Sequence, residues 1–201
     1  MGGTKKLTGK YLAKALKMLI DVTLILEKDN IPYILDGGTL LGIIRENRLL
    51  PWDTDLDAAV TGEHARRVFS VRWRMWLAGY RTRIRRYKRD MGPFKKGMPR
   101  LLRIQTRKFF FFKDVSLMDI FFKTQFDNEY FWVVDDKRPV LKSCPRDYYE
   151  KLSLINFNGK EYSVPEDYKG YLTYHYGDWQ VVKKDWNSRL DDAVNKVELV
   201  K

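Results

Sequence analysis

The segment from Leu35 to Val60, LDGGTLLGIIRENRLLPWDTDLDAAV, constrains the fold of this 201-residue chain more than any other. It opens on a glycine pair and a threonine, Gly37-Gly38-Thr39. Fourteen residues past Thr39 begin three carboxylates spaced by two, Asp53, Asp55 and Asp57. The pattern predicts a short strand over Tyr33 to Asp36, a glycine turn, and a helix from Thr39 to about Glu46 with Thr39 near its N-terminus. A loop over Asn47 to Pro51 and a second strand over Trp52 to Val60 follow. Alternate side chains of a strand share a face, so the three acids are expected to point the same way. Carboxylates gathered on one face repel each other unless a cation sits among them. Hard divalent ions such as Mg²⁺ favour oxygen ligands of this kind, often with phosphates as further ligands. The glycine turn offers bare backbone N–H groups at the start of a helix, which suit phosphate oxygens. Together these features read as a metal-and-phosphate site.

The rest of the chain mixes helical and strand patterns. Leu12, Leu16, Leu19, Thr23 and Leu26 recur at helical spacing within a helix over about Thr8 to Lys28. Glu63 to Leu77 reads as one helix, and Gly79 to Arg89 as a strand whose Arg81, Arg83 and Arg85 make one basic face. A loop over Met91 to Arg100 precedes strands over Leu101 to Thr106 and Val115 to Phe122. The four phenylalanines from Phe109 to Phe112 read first as buried strand; the sharper alternative is an apolar patch that meets lipid or a hydrophobic acceptor. Asp147 to Leu152 reads as a short helix. Asn158-Gly159 marks a hairpin over Ile155 to Val164. A helix over Glu166 to Tyr176 ends at Gly177. No repeat or low-complexity linker divides the chain. Residues 1–201 are therefore expected to form a single domain of α/β (α+β) class, with a mixed central sheet flanked by helices.

Composition narrows the function. A hydrophobic content of 44% with 14% aromatics excludes a disordered chain. The lone Cys144 excludes a disulfide framework and a cysteine-based zinc site, and His64 and His175 make no zinc motif. No run approaches the roughly 18 apolar residues of a membrane span, and Lys14, Lys17 and Asp21 interrupt the N-terminal apolar stretch. A soluble cytoplasmic protein is expected, with peripheral contact at the inner face of a membrane left open. The formal charge is +12, concentrated between Arg66 and Lys108, where 16 basic residues meet one acid, Asp90. That segment suits an anionic partner: an anionic glycan, a nucleotide sugar, a lipid headgroup or nucleic acid. The plain alternative is a solvated basic face. No recognised nucleic-acid-binding motif is present, so nucleic acid is not the expected partner.

Metal-assisted phosphoryl transfer needs phosphate oxygens held, their charge neutralised, and the attacking hydroxyl aligned and relieved of its proton. Gly37, Gly38 and Thr39 suit the first task, and Asp55 and Asp57 the second. Asp119, a lone carboxylate within the apolar Val115 to Phe122 strand, is the candidate third acid for one or two metals. The competing reading pairs it with an arginine. Asp53 either joins the metal or bonds backbone where loop becomes strand. Arg45 either reaches a phosphate or pairs with Asp53 or Glu46, and Trp52 either stacks on a base or packs.

These residues also carry a resemblance. Leu35-Asp36-Gly37-Gly38-Thr39-Leu40-Leu41-Gly42, then Arg45, then Pro51-Trp52-Asp53-x-Asp55-x-Asp57, resembles the signature of the LicD family. Its members include bacterial phosphorylcholine transferases and the fukutin-related proteins. Val115 to Phe122 is similar to the strand bearing that family's third acid. Tyr171-Leu172-x-x-x-Tyr176-Gly177-Asp178-Trp179 is similar to its C-terminal motif. The resemblance spans about Asn30 to Trp186. It implies a nucleotidyltransferase-like fold that uses Mg²⁺, with Mn²⁺ able to serve in its place. It also implies a CDP-linked donor such as CDP-choline or CDP-ribitol, whose phospho-alcohol passes to a sugar hydroxyl of a cell-surface glycan while CMP leaves. By position Asp55, Asp57 and Asp119 would carry the metal, with Asp119 or Asp57 taking the acceptor proton. Tyr176, Gly177 and Asp178 would close the donor site. The basic segment is richer than the signature requires and suits an anionic acceptor, such as a phosphate-bearing glycan, lipopolysaccharide or teichoic-acid-like polymer. The zinc-binding insertion of the fukutin-related proteins has no counterpart, since Cys144 stands alone. Two other functions fit the same residues: a nucleotidyltransferase that spends an NTP on RNA, protein or a small molecule, and a non-enzymatic binder of anionic polymers.

Overall fold

The computed structural model describes residues 5–109, 112–134, 138–192, 194 and 196–198. Helix α1 (Gly9–Lys28) presents Ala15, Met18, Leu19, Val22 and Leu26 to the core, while Leu12 and Leu16 lie half-buried at its edge. Strand β1 (Ile34–Asp36) leads directly into α2 (Gly37–Glu46), and β2 (Leu56–Thr61) follows a loop. The predicted single helix over Glu63 to Leu77 is instead a 3₁₀ turn, α3 (Ala65–Ser70) and α4 (Arg72–Leu77), broken at Val71. The break turns Val71 into the core beside Val68 and Met75, and leaves Trp73, Trp76 and Leu77 exposed.

Strands β3 (Tyr80–Arg86), β4 (Pro99–Lys108) and β5 (Phe112–Phe126) form an antiparallel meander. Strands β6 (Glu129–Val134) and β7 (Val140–Pro145) were not anticipated; they extend the sheet from the far end of β5. A short α5 (Asp147–Glu150) precedes the predicted hairpin, β8 (Leu152–Phe157) and β9 (Lys160–Pro165). Its two turn residues, Asn158 and Gly159, both have positive φ, as a type I′ turn demands. Helix α6 (Tyr168–Tyr176) and β10 (Lys196–Glu198) complete the fold. The phenylalanine run is only partly described. Phe110 and Phe111 lie outside the described residues, and Phe109 and Phe112 are exposed, not buried, where β4 gives way to β5.

The main sheet is mixed. β2 and β5 run parallel; every other pairing among its described strands is antiparallel. The alternation of β2, β4 and β5 buries Leu56, Ala58, Val60, Leu102, Ile104, Met118, Ile120 and Phe122 on the face covered by α1 and α3. The opposite face carries the charged residues, and α6 covers part of it through Tyr171, which reaches Asp36.

Candidate active site

One rung of the sheet gathers the charges. Asp36 of β1 pairs in register with Asp57 of β2, Asp57 with Asp119 of β5, Asp119 with Arg103 of β4, and Arg103 with Arg83 of β3. Residues paired in register point to the same face, and neighbouring strands lie about 4.8 Å apart. Asp57 and Asp119 are thus side-by-side neighbours on one face.

The three acids of the D-x-D-x-D run do not share one strand. β2 begins at Leu56, so Asp53 and Asp55 lie in the preceding loop and only Asp57 is strand-borne. The loop still delivers them to the same cleft, because Asp53 is anchored at both ends: its carbonyl accepts from Leu7 N–H at 2.8 Å, and its Oδ1 accepts from Thr54 N–H at 2.8 Å. The Thr54 hydroxyl donates to Asp55 Oδ1 at 3.2 Å.

The glycine pair has a clear steric purpose. Helix α2 starts at Gly37, two residues earlier than expected, with Asp36 as its N-cap; Gly37 N–H donates to Asp36 Oδ1 at 2.7 Å. Gly37 has φ +54°, and a Cβ there would stand 2.5 Å from Asp57 Oδ2; a Cβ on Gly38 would collide with Asp53 Oδ2. Bare glycines therefore let a helix N-terminus sit directly on two carboxylates. Thr39 departs from its expected phosphate role. It is buried behind the strand, outside the cleft lining, and its Oγ1 accepts from Asp57 N–H at 2.8 Å, locking α2 to β2.

The cleft encloses about 880 Å³ between this rung and the C-terminal segment. Gly37, Gly38, Trp52, Asp53, Asp55, Asp57 and Asp119 line one side, and Tyr176, Asp178, Trp179 and Trp186 the other. Arg45 lines it too, but its guanidinium bonds Glu46 at 2.8 Å and donates to the Trp179 carbonyl at 3.2 Å, tying α2 to the C-terminal motif. Trp52 is half-buried against the core, with Lys184 Nζ 5.5 Å from its ring. Tyr176 packs on Trp186 with ring centroids 4.7 Å apart. Gly177 ends α6 at φ +63° and stays outside the lining.

The carboxylates sit in three different electrostatic settings. Burial pushes the Asp36 carboxyl up, but Lys123 at 3.2 Å, His175, the Tyr171 hydroxyl at 2.6 Å and Gly37 N–H together pull it down to about 2. Asp119 gives both oxygens to Arg103, at 2.9 Å from Nε and 2.5 Å from a terminal nitrogen, so the competing expectation of an arginine pair is met. Asp53, Asp55 and Asp57 have no ion pair among the described residues. Burial, then Asp53 and Asp119, raises Asp55 to about 6. Burial, then Asp55, Asp53, Asp36 and Asp119, raises Asp57 well above the ordinary carboxylate range. Burial also raises Asp53. No three His, Cys, Asp or Glu side chains among the described residues stand as a preformed metal cage. The donor set nevertheless fits a hard cation: three crowded, uncompensated carboxylates destabilise their own ionised forms, and a divalent ion would remove that penalty.

Several site residues escaped the sequence reading. Asp36 is the hub of a buried network with Lys123 and Tyr171. Lys123 lies 3% exposed with Nζ 3.5 Å from the Trp132 ring centroid. Alternation along β5 from Asp119 through Phe121 would have put Lys123 on the same face. Trp132, His175 and Asp192 carried no local signal; His175 Nδ1 lies 3.3 Å from Asp192.

Residues 30–167 match the family model described as LicD/FKTN/FKRP, nucleotidyltransferase domain. The chain is 34% identical over 58 residues to the uncharacterized protein RP689 of Rickettsia prowazekii (strain Madrid E). That match covers 29% of this chain and 22% of the relative, so the chain spans about a fifth of the relative's length. Among solved structures it is similar to ANT(2")-Ia in complex with adenylyl-2"-tobramycin, with a TM-score of 0.46 and 13% identity over 88% of this chain and 83% of that one.

Proposed function

This chain belongs to the LicD/FKTN/FKRP nucleotidyltransferase domain family, and from that premise we propose that it is a transferase moving a phospho-alcohol from a CDP-linked donor to a sugar hydroxyl of an anionic glycan. The observation that carries the reading is the rung in which Asp57 and Asp119 stand side by side, with Asp53 and Asp55 crowded beside them at the N-terminus of α2. Asp55 and Asp57 are the residues that would hold Mg²⁺, or Mn²⁺ in its place, with Asp53 beside them; Asp119 would join by yielding one oxygen of its Arg103 contact. Bound there, the ion supplies charge neutralisation to a diphosphate. The protein's own groups do the rest. Gly37 and Gly38 line the cleft, and the donor phosphates would lie beside them at the start of α2. Trp52, Tyr176 and Trp179 offer aromatic walls for the base and alcohol. The acceptor oxygen forms a bond to the phosphorus nearest the alcohol, the bond to CMP breaks, and the acceptor proton passes to Asp57 or Asp119.

The test incubates the protein with Mg²⁺, a panel of CDP-alcohols and anionic glycans. CMP release that depends on both donor and acceptor is expected; none across the panel refutes the reading. A second reading, nucleotidyl transfer from an NTP, is favoured by the nucleotidyltransferase description of the family. Pyrophosphate in place of CMP would select it. No helix among the described residues is long and apolar enough to cross a membrane.

A further inference from the structure

The rung does not end at Asp119. It continues through Arg103 to Arg83, on the same face as the carboxylates. The next rung along that face runs from Arg85 through Leu101 to Phe121, and Phe121 lines the cleft. Asp119 engages Arg103, but Arg83 and Arg85 have no hydrogen bond or ion pair among the described residues. Arg83 is exposed and Arg85 half-buried. Three guanidiniums thus share one sheet face with a single carboxylate between them; burial, then Arg83 and Arg103, lowers the Arg85 pKa, and Asp119 opposes the shift.

We propose that Arg83 and Arg85 form an anion subsite that binds a phosphate group of the acceptor glycan. The inference deepens the proposed function and rests on it for the word acceptor. Strand spacing sets the geometry: at about 4.8 Å per strand, the Arg83 backbone stands roughly 10 Å from Asp119 and roughly 14 Å from Asp57. A donor diphosphate lying on Gly37, Gly38 and Asp57 would sit three strands away from Arg83. A sugar whose hydroxyl lies at Asp57 or Asp119 and whose phosphate lies one residue further on spans the gap. Guanidinium forks match phosphate oxygens two at a time, and their fixed charge persists at any working pH. The subsite therefore selects acceptors that already bear phosphate, and sets the distance from that phosphate to the hydroxyl that reacts.

Isothermal titration with inorganic tripolyphosphate, in EDTA so that no metal bridges the probe, tests the subsite without turnover. Arg83→Gln/Arg85→Gln is expected to weaken binding about tenfold to a hundredfold, the range for losing hydrogen bonds to a charged group. Arg66→Gln/Lys88→Gln, which removes the same charge from the same basic segment away from the rung, is expected to change it less than about twofold. Equal losses in the two variants mean a diffuse field and overturn the proposal, as does no loss in the first. Melting curves by circular dichroism check that the sheet persists. With a phosphate-bearing glycan and an active donor, the arginine variant is expected to raise KM for acceptor and leave KM for donor unmoved; unchanged acceptor KM refutes the subsite while leaving the transferase intact. Localised tripolyphosphate binding without CMP release from any donor has the opposite meaning: the anion subsite stands and the transferase reading fails.

Discussion

Replacing Asp55 by asparagine is expected to stabilise the metal-free protein at neutral pH while removing its activity. The sign follows from linkage. An unfolded aspartate ionises near 3.8, whereas Asp55 in the fold ionises near 6. Below about pH 4 both states hold the proton and the carboxyl has no net effect. Between about 4 and 6 the unfolded chain releases its proton first, so stability falls as pH rises, and above 6 the loss is complete. A gap of about two units corresponds to roughly 3 kcal/mol. Asp55 is partly solvated and shares its field with Asp53 and Asp57, so screening reduces the expected gain to roughly 1–2 kcal/mol. For a domain of this size that is a rise in Tm of about 2–8 °C. Differential scanning fluorimetry in EDTA at pH 7.5 and pH 4 checks it: Asp55→Asn melts higher than wild type at pH 7.5, and the difference closes at pH 4. Added Mg²⁺ then raises wild type more than the variant. A variant that melts lower at pH 7.5, or whose gain is the same at both pH values, refutes the claim that Asp55 is an uncompensated charge.

Four further outcomes follow from the same site. Lys123→Met strands the Asp36 carboxylate in the core, so a loss of about 3–5 kcal/mol is expected; denaturant melts read it, and a second change, Asp36→Asn, should restore part of it. Because Asp36 is held down to about 2, its network stabilises the fold above an unfolded pKa near 3.8 and loses that contribution as pH falls toward 2, which acid titration of Lys123→Met against wild type isolates. Gly38→Ala drives a methyl into Asp53 and should abolish CMP release with a Tm drop of a few degrees, whereas Gly79→Ala, which meets nothing nearby but sits at φ +95°, should lower Tm and spare activity. Asp57→Ala and Asp119→Ala are each expected to cut turnover by at least a hundredfold with circular dichroism unchanged.

Much of this was legible because local rules sufficed. The NG turn, the glycine stop after α6 and the strand–helix–strand order around Gly37 depend on neighbouring residues only. The misplacements have long-range causes. Asp53 and Asp55 looked strand-borne from their spacing, but the N-terminal segment bonds the Asp53 carbonyl and holds that stretch out of the sheet. Thr39 looked like a phosphate ligand because it follows two glycines; the packing of α2 on β2 instead makes its hydroxyl the acceptor for Asp57 N–H. Glu129 to Val134 is too short an apolar run for period alone to separate strand from buried helix. His175 and Asp192 meet only when the C-terminal segment folds back over the sheet.

The row of acids across β1, β2 and β5 is best understood as one residue type in three circumstances. Asp36 has a buried lysine, a tyrosine hydroxyl and the first N–H of α2, so it stays ionised down to about pH 2 and its work is to fix the helix against the sheet. Asp119 is clamped from the side by Arg103, which takes both of its oxygens and fixes the carboxyl in place beside Asp57. Asp57 stands between them with neither cation, and the charge of Asp55 bears on it. A strand on either side supplies the rigidity that the crowded acid itself cannot. Such an arrangement stores electrostatic repulsion at the one position where an incoming cation and diphosphate would relieve it. Exchanging Asp57 and its neighbours' roles should therefore fail: Arg103→Met frees Asp119 but adds a fourth uncompensated carboxylate, and is expected to lower the metal-free Tm, with Mg²⁺ recovering more degrees than it does in wild type. Equal Mg²⁺ shifts in the two proteins would mean that Asp119 and the loop acids do not share one cation.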